Sequence, residues 1–123
     1  MKKFFVAVLL LVLITASPVF ADRTCTSGNK TGAANGLIVS GAGYLEALQV
    51  TPDANDVTVT LYDNASAASG TVIASWKAKG SVNPESKARL FNGVWFENGI
   101  YYATTQTGAT VNVDYRTANG RCD

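Results

Sequence analysis

Hydrophobic and polar residues alternate with a period of two along most of this chain, which is the period of half-buried strands and not of helices. The clearest run is Asp56 to Tyr62, where Val57, Val59 and Leu61 point one way and Thr58, Thr60 and Tyr62 the other. Ala109 to Thr117 repeats it, with Val111, Val113 and Tyr115 set against Asn112, Asp114 and Arg116. Leu37-Ile38-Val39 is a short apolar strand. Tyr44 to Val50 puts Glu46, Leu48 and Val50 on one face and Leu45, Ala47 and Gln49 on the other. Thr71 to Lys77 places Val72, Ala74 and Trp76 together, and Lys87 to Phe91, Val94 to Glu97 and Ile100 to Thr105 complete the set. Ser86 to Leu90 also reads as a single helical turn, but no stretch carries a long 3.6-period face.

Turn signals separate these runs. Asp63 to Gly70 is rich in Ser, Ala, Asn and Gly and makes its flanking strands a hairpin; Lys79 to Ser86, with Gly80 and Pro84, is a second break. Asn-Gly occurs at Asn35-Gly36, Asn92-Gly93, Asn98-Gly99 and Asn119-Gly120, each tolerant of the positive φ of a tight turn. Seven or eight short strands so punctuated predict an all-β fold, an antiparallel β-sandwich of jelly-roll or Ig-like type, with a barrel as the other way of closing the sheet.

The first residues break the pattern. Lys2 and Lys3 precede an apolar run from Phe4 to Ile14, and Pro18 and Val19-Phe20-Ala21 follow it, which is the three-part order of a secretory signal. Eleven apolar residues rise about 16 Å as a helix against roughly 30 Å of hydrocarbon, too short to span. The expected organisation is a signal peptide at 1–21, an irregular arm at 22–36 and the sandwich at 37–123. The expected location is outside the cytoplasm: periplasm, cell surface or medium.

Export changes the meaning of the two cysteines. Cys25 and Cys122 lie at opposite ends of the mature chain, and an even count in an exported protein points to a disulfide. Closing nearly the whole domain contributes about 4–5 kcal/mol in the chain-entropy picture. Two free thiols, or a bond between neighbouring subunits, are the other readings.

Charge and chemistry narrow the function by exclusion. Without Lys2 and Lys3 the ten basic residues become eight against nine acidic ones, so there is no basic excess for phosphates and nucleic acid is disfavoured. Histidine is absent, removing the commonest general base and metal ligand. Glu46, Asp53, Asp56, Asp63, Glu85, Glu97 and Asp114 fall on loops or strand exteriors with no motif joining any two, and read as solvated charge. Asp53-Ala54-Asn55-Asp56 brings oxygen ligands close together but lacks the spacing of a calcium loop, so a polar turn after Pro52 is the simpler reading. No enzyme activity, cofactor or metal is expected. Tyr44, Tyr62, Trp76, Trp95, Phe96, Tyr101 and Tyr102 are many aromatics for so small a domain. One member of Trp95-Phe96 and of Tyr101-Tyr102 must face outward, so the outward-facing members of Trp76, Trp95, Tyr101 and Tyr102 are candidate binding residues; core and cross-strand packing is the competing use.

The segments VTVTLYDNASAASGTVIASWKA and NGIYYATTQTGATVNVDYR carry a likeness. Over roughly residues 36 to 117 the chain resembles small β-sandwich proteins encoded by tailed bacteriophages and prophages. The matching residues are Leu61 to Asp63, Gly70 to Ile73, Asn98 to Tyr101 and Val111 to Arg116. The resemblance implies a virion-associated or structural role without an active site; the signal peptide and terminal cysteines depart from it and favour a related fold used outside the cytoplasm. The expected function is therefore an exported, non-enzymatic structural or interaction protein, a subunit of a surface or virion-like assembly. Its partner would be itself or another surface or virion protein, met through open sheet edges or by the 22–36 arm lying across a neighbour. A secreted carbohydrate-binding module using exposed aromatics is the alternative, with glycans as partners. No membrane span is expected after signal cleavage.

Overall fold

Val57, Val59 and Leu61 are fully buried while Thr58, Thr60 and Tyr62 are not, so the strand Val57–Asp63 lies with one face on a core and one toward solvent. The computed structural model describes residues 24–28 and 30–122; the expected signal peptide and residues 22–23 lie outside the described residues. Eight strands follow in chain order: β1 (Cys25–Thr26), β2 (Asn35–Ser40), β3 (Gly43–Thr51), β4 (Val57–Asp63), β5 (Thr71–Ala78), β6 (Lys87–Phe96), β7 (Gly99–Thr104) and β8 (Thr110–Thr117). All pairings are antiparallel, and no helix occurs among the described residues.

The strands form two sheets, β1-β8-β3-β6 and β2-β7-β4-β5. Only the β4–β5 hairpin stays within one sheet; every other connection changes sheet, and the eight strands wind as the paired Greek keys of a jelly roll. An immunoglobulin-type sandwich would carry four strands against three in a different order. The core between the sheets holds Leu45, Leu48, Val50, Phe96, Val111, Val113 and Tyr115 from one side and Val39, Val57, Val59, Leu61, Ala74, Ile100 and Tyr102 from the other.

Bulges correct three expectations from the alternation. In β3 the register shifts between Leu45 and Ala47, so Leu45, Leu48 and Val50 all face inward and Leu45 does not join Ala47 and Gln49 on an outer face. In β5 the shift opposite Leu61 and Tyr62 turns Val72 outward, away from Ala74 and Trp76. Lys87 to Phe96 is one strand, not two and not a helical turn: Asn92-Gly93 is absorbed as an irregularity opposite Glu46, with Gly93 at φ +72°. Asn35-Gly36 is likewise no turn. It lies within β2, where Gly36 leaves room for the Tyr102 ring.

The arm is used by its own domain. Cys25 and Thr26 pair with Tyr115 and Asp114, Ser27 N–H donates to the Val113 carbonyl, and Lys30 exchanges two backbone hydrogen bonds with Val111. Cys25 and Cys122 form a disulfide within the chain, with Cα atoms 5.4 Å apart. Residues 25–27 and Lys30 are thus committed to β8 and not free to lie across a neighbour.

Candidate binding site

The outer face of β2-β7-β4-β5 is ordered by register. Leu37 of β2 sits opposite Tyr101 of β7, Tyr101 opposite Tyr62 of β4, and Tyr62 opposite Val72 of β5. These four side chains form an apolar row across the full width of the sheet, with Leu37 at 43% and Val72 at 52% exposure at its ends. The adjacent row, Asn35, Ala103, Thr60 and Ser75, is small and neutral; the Thr60 and Ser75 hydroxyls stand 3.3 Å apart. At one corner Lys77 pairs with Asp56 at 3.4 Å.

The opposite outer face, on β1-β8-β3-β6, has another character. Tyr44 of β3 lies between Trp95 of β6 and Arg116 of β8. The Tyr44 and Trp95 rings meet edge to face at 4.9 Å, both remain substantially exposed, and the Arg116 guanidinium stands 5.4 Å from the Tyr44 ring centre. Glu46, turned outward by the β3 bulge, pairs through Oε1 with Arg116 Nε, and both side chains are about three-quarters buried. Toward β8 and β1 the neighbours are polar, Thr26 Oγ1 donating to Asp114 Oδ1 at 2.8 Å and Gln49 lying opposite Asn112, while on β6 Leu90, opposite Ala47, is exposed.

The four aromatics proposed from the sequence do not come together. Trp95 faces out, and its neighbour Phe96 is core. Tyr101 faces out on the other sheet. Tyr102, its neighbour, is 3% exposed and packs inward, so it is no binding residue; burial, then the nearby Tyr101, push its phenol above the ordinary value. Trp76 lies opposite the inward-facing Val59 and packs against the core. Tyr44, Glu46, Gly93 and Arg116 complete the Trp95 cluster and escape a reading of the sequence because three strands must be aligned to bring them together.

Asp63, Asp56 and Asp53 make structural contacts. Burial works against ionisation of Asp63, but N–H donors from Glu97 at 3.0 Å and Asn98 at 2.7 Å outweigh it and hold the carboxyl below the usual range. Asp56 is lowered by the Gly80 N–H and, against slight desolvation, by Lys77. Asp53 Oδ1 accepts the Asn55 N–H at 2.8 Å, the polar turn anticipated after Pro52. Among the described residues no group of three metal-ligating side chains assembles, and no helix is long and apolar enough to cross a membrane.

No family model, curated protein or solved structure matches this chain.

Proposed function

We propose that this domain is an exported, non-enzymatic structural subunit that associates with further copies of itself through the outer face of β2-β7-β4-β5. The observation that carries this reading is the Leu37–Tyr101–Tyr62–Val72 row, apolar from edge to edge and flanked by small neutral residues. Two copies of such a face meet without like-charge repulsion and without leaving a charge unpaired. The disulfide fits an oxidising compartment, and the likeness to phage-encoded sandwich proteins supports an assembly role.

The association is by face and not by edge. Of the four edge strands, β1 is only two residues long, β2 and β5 are bulged, and β6 carries Lys87 and Arg89, all features that discourage strand addition. Four strands spaced ~4.8 Å apart and about seven residues long at ~3.3 Å each present roughly 450 Å² per copy. The resulting contact, near 900 Å² in total, sits at the weak end of specific interfaces, and repetition across an array strengthens it.

Size-exclusion chromatography with light scattering on the mature, oxidised protein tests this. Mass should rise with concentration, and Leu37→Asp and Val72→Asp, both at exposed positions, should return the protein to monomer with unchanged circular dichroism. A monomer that persists to about 1 mM, where contacts of about 4 kcal/mol become half-populated, overturns the reading.

A further inference from the structure

The geometry points to a second binding site, on the sheet that the proposed association leaves open: we infer that Trp95, Tyr44, Glu46 and Arg116 bind a neutral saccharide. The inference is independent of self-association, which uses the other face.

Three observations converge on this ligand chemistry. First, the edge-to-face rings of Tyr44 and Trp95, 40% and 48% exposed, make a two-walled aromatic surface on which the apolar C–H face of a sugar ring can lie. Second, beside those rings stand a carboxylate and a guanidinium already paired and largely buried, so their rotamers are set before any ligand arrives. Both groups present planar forks suited to adjacent hydroxyls, the carboxylate accepting and the guanidinium donating. Third, the backbone leaves a recess between them. Gly93 adopts φ +72°, and the space a side chain there would fill lies 3.6 Å from Arg116 Nη2, 3.7 Å from Tyr44 Cδ1 and 3.9 Å from Glu46 Oε1. A residue with a Cβ would be strained in this backbone and would narrow the recess.

Charge decides the class of saccharide. Glu46 is paired with Arg116 and the Asp114 carboxylate lies two residues along β8, so no surplus positive charge draws an acidic sugar or a phosphate. Size decides against a protein partner: the apolar surface is two rings wide, with one further exposed apolar side chain, Leu90, set apart by Glu46 and Gly93, and Asp114 and Thr26 on the β8 and β1 side. That is room for one or two sugar residues and well short of the desolvated centre of a protein interface.

The test is titration of the disulfide-intact mature protein with three neutral oligomers, maltohexaose, cellohexaose and chitohexaose, and with hexagalacturonate as the acidic comparison. Tryptophan fluorescence and amide chemical shifts are followed together. At least one neutral oligomer should bind with Kd in the range of about 0.1–10 mM, with shifts centred on Tyr44, Gly93, Trp95 and Arg116. Trp95→Ala should weaken binding by about tenfold or more. Glu46→Gln, which keeps the shape of the side chain, should weaken it as well, and Leu37→Asp on the opposite face should leave it unchanged. Silence of all three neutral oligomers at about 10 mM overturns the inference, as does binding of hexagalacturonate alone or undiminished binding by Trp95→Ala. A Trp95-centred shift that tracks protein concentration without sugar also overturns it, because the cluster would then be a contact between copies.

Discussion

Gly43 lies directly against the backbone of Arg116 on the neighbouring strand: a Cβ at Gly43 would overlap the Arg116 carbonyl and stand 2.7 Å from Phe96 Cζ. Neither obstacle can swing aside, since one is a carbonyl in the β3–β8 ladder and the other a core ring opposite Gly43 in β6. Gly43→Ala should therefore destabilise the domain by about 3 kcal/mol or more, at or beyond the upper end of ordinary overpacking. Gly41→Ala, at φ +88° with open space around it, should cost only the roughly 1–2 kcal/mol of left-handed backbone. Denaturant unfolding of the two variants checks the order.

Core and edge leucines should behave very differently. Leu61 is fully buried between the sheets and Leu90 is 81% exposed on β6. Leu61→Ala should cost about 2–5 kcal/mol and Leu90→Ala less than about 0.5 kcal/mol. Equal losses would mean that β6 is placed differently from the pairing of Leu90 with Ala47.

The Cys25–Cys122 bond encloses almost the whole domain, at a sequence separation of 97. Reduction should lower unfolding free energy by about 2–5 kcal/mol. Non-reducing electrophoresis should show one compact monomer band that slows with reductant; a ladder of disulfide-linked oligomers would contradict the intrachain bond.

Asp63 couples stability to acidity. Its folded pKa is lowered, so its contribution is fully present above the unfolded value of about 4 and is lost as pH falls through the folded value. Asp63→Asn should be less stable than wild type at neutral pH, because an amide oxygen cannot serve the Glu97 and Asn98 N–H groups as a carboxylate does. The gap should begin to narrow at about pH 4, where the unfolded carboxyl protonates, and close as pH falls through the lower folded value. Thermal unfolding of both proteins across that interval gives the answer; a gap that widens on acidification contradicts the assignment.

The sandwich was legible in the sequence wherever strands run without interruption. β4 and β8 show their inward faces directly, as Val57, Val59 and Leu61 and as Val111, Val113 and Tyr115. β3, β5 and β6 each contain a bulge, and one extra residue turns every side chain beyond it to the other face. Counting by twos cannot see this, and it puts Val72 on the side of Ala74 and Trp76. The aromatic pairs show a different gap. Alternation says that one member of Trp95-Phe96 and of Tyr101-Tyr102 faces out, but not which. The inward members, Phe96 and Tyr102, are those standing opposite glycines, Gly43 and Gly36, and that relation exists only once the register is known. The Trp95 cluster was hidden for the same reason: Glu46 and Arg116 meet across 70 residues of sequence.

The placement of the disulfide also governs how the domain carries load. The chain enters through Cys25 at the start of β1 and leaves through Cys122 just beyond β8, and the two are covalently joined. A pull between the segments outside this bond passes from one cysteine to the other without stretching a single hydrogen bond in either sheet. In the oxidised protein both jelly-roll sheets are mechanically bypassed, and tension along a string of such domains would leave their faces intact for whatever docks there. Once reduced, the same pull falls first on the few hydrogen bonds that join residues 25–27 and Lys30 to β8, and the fold would unzip from that seam.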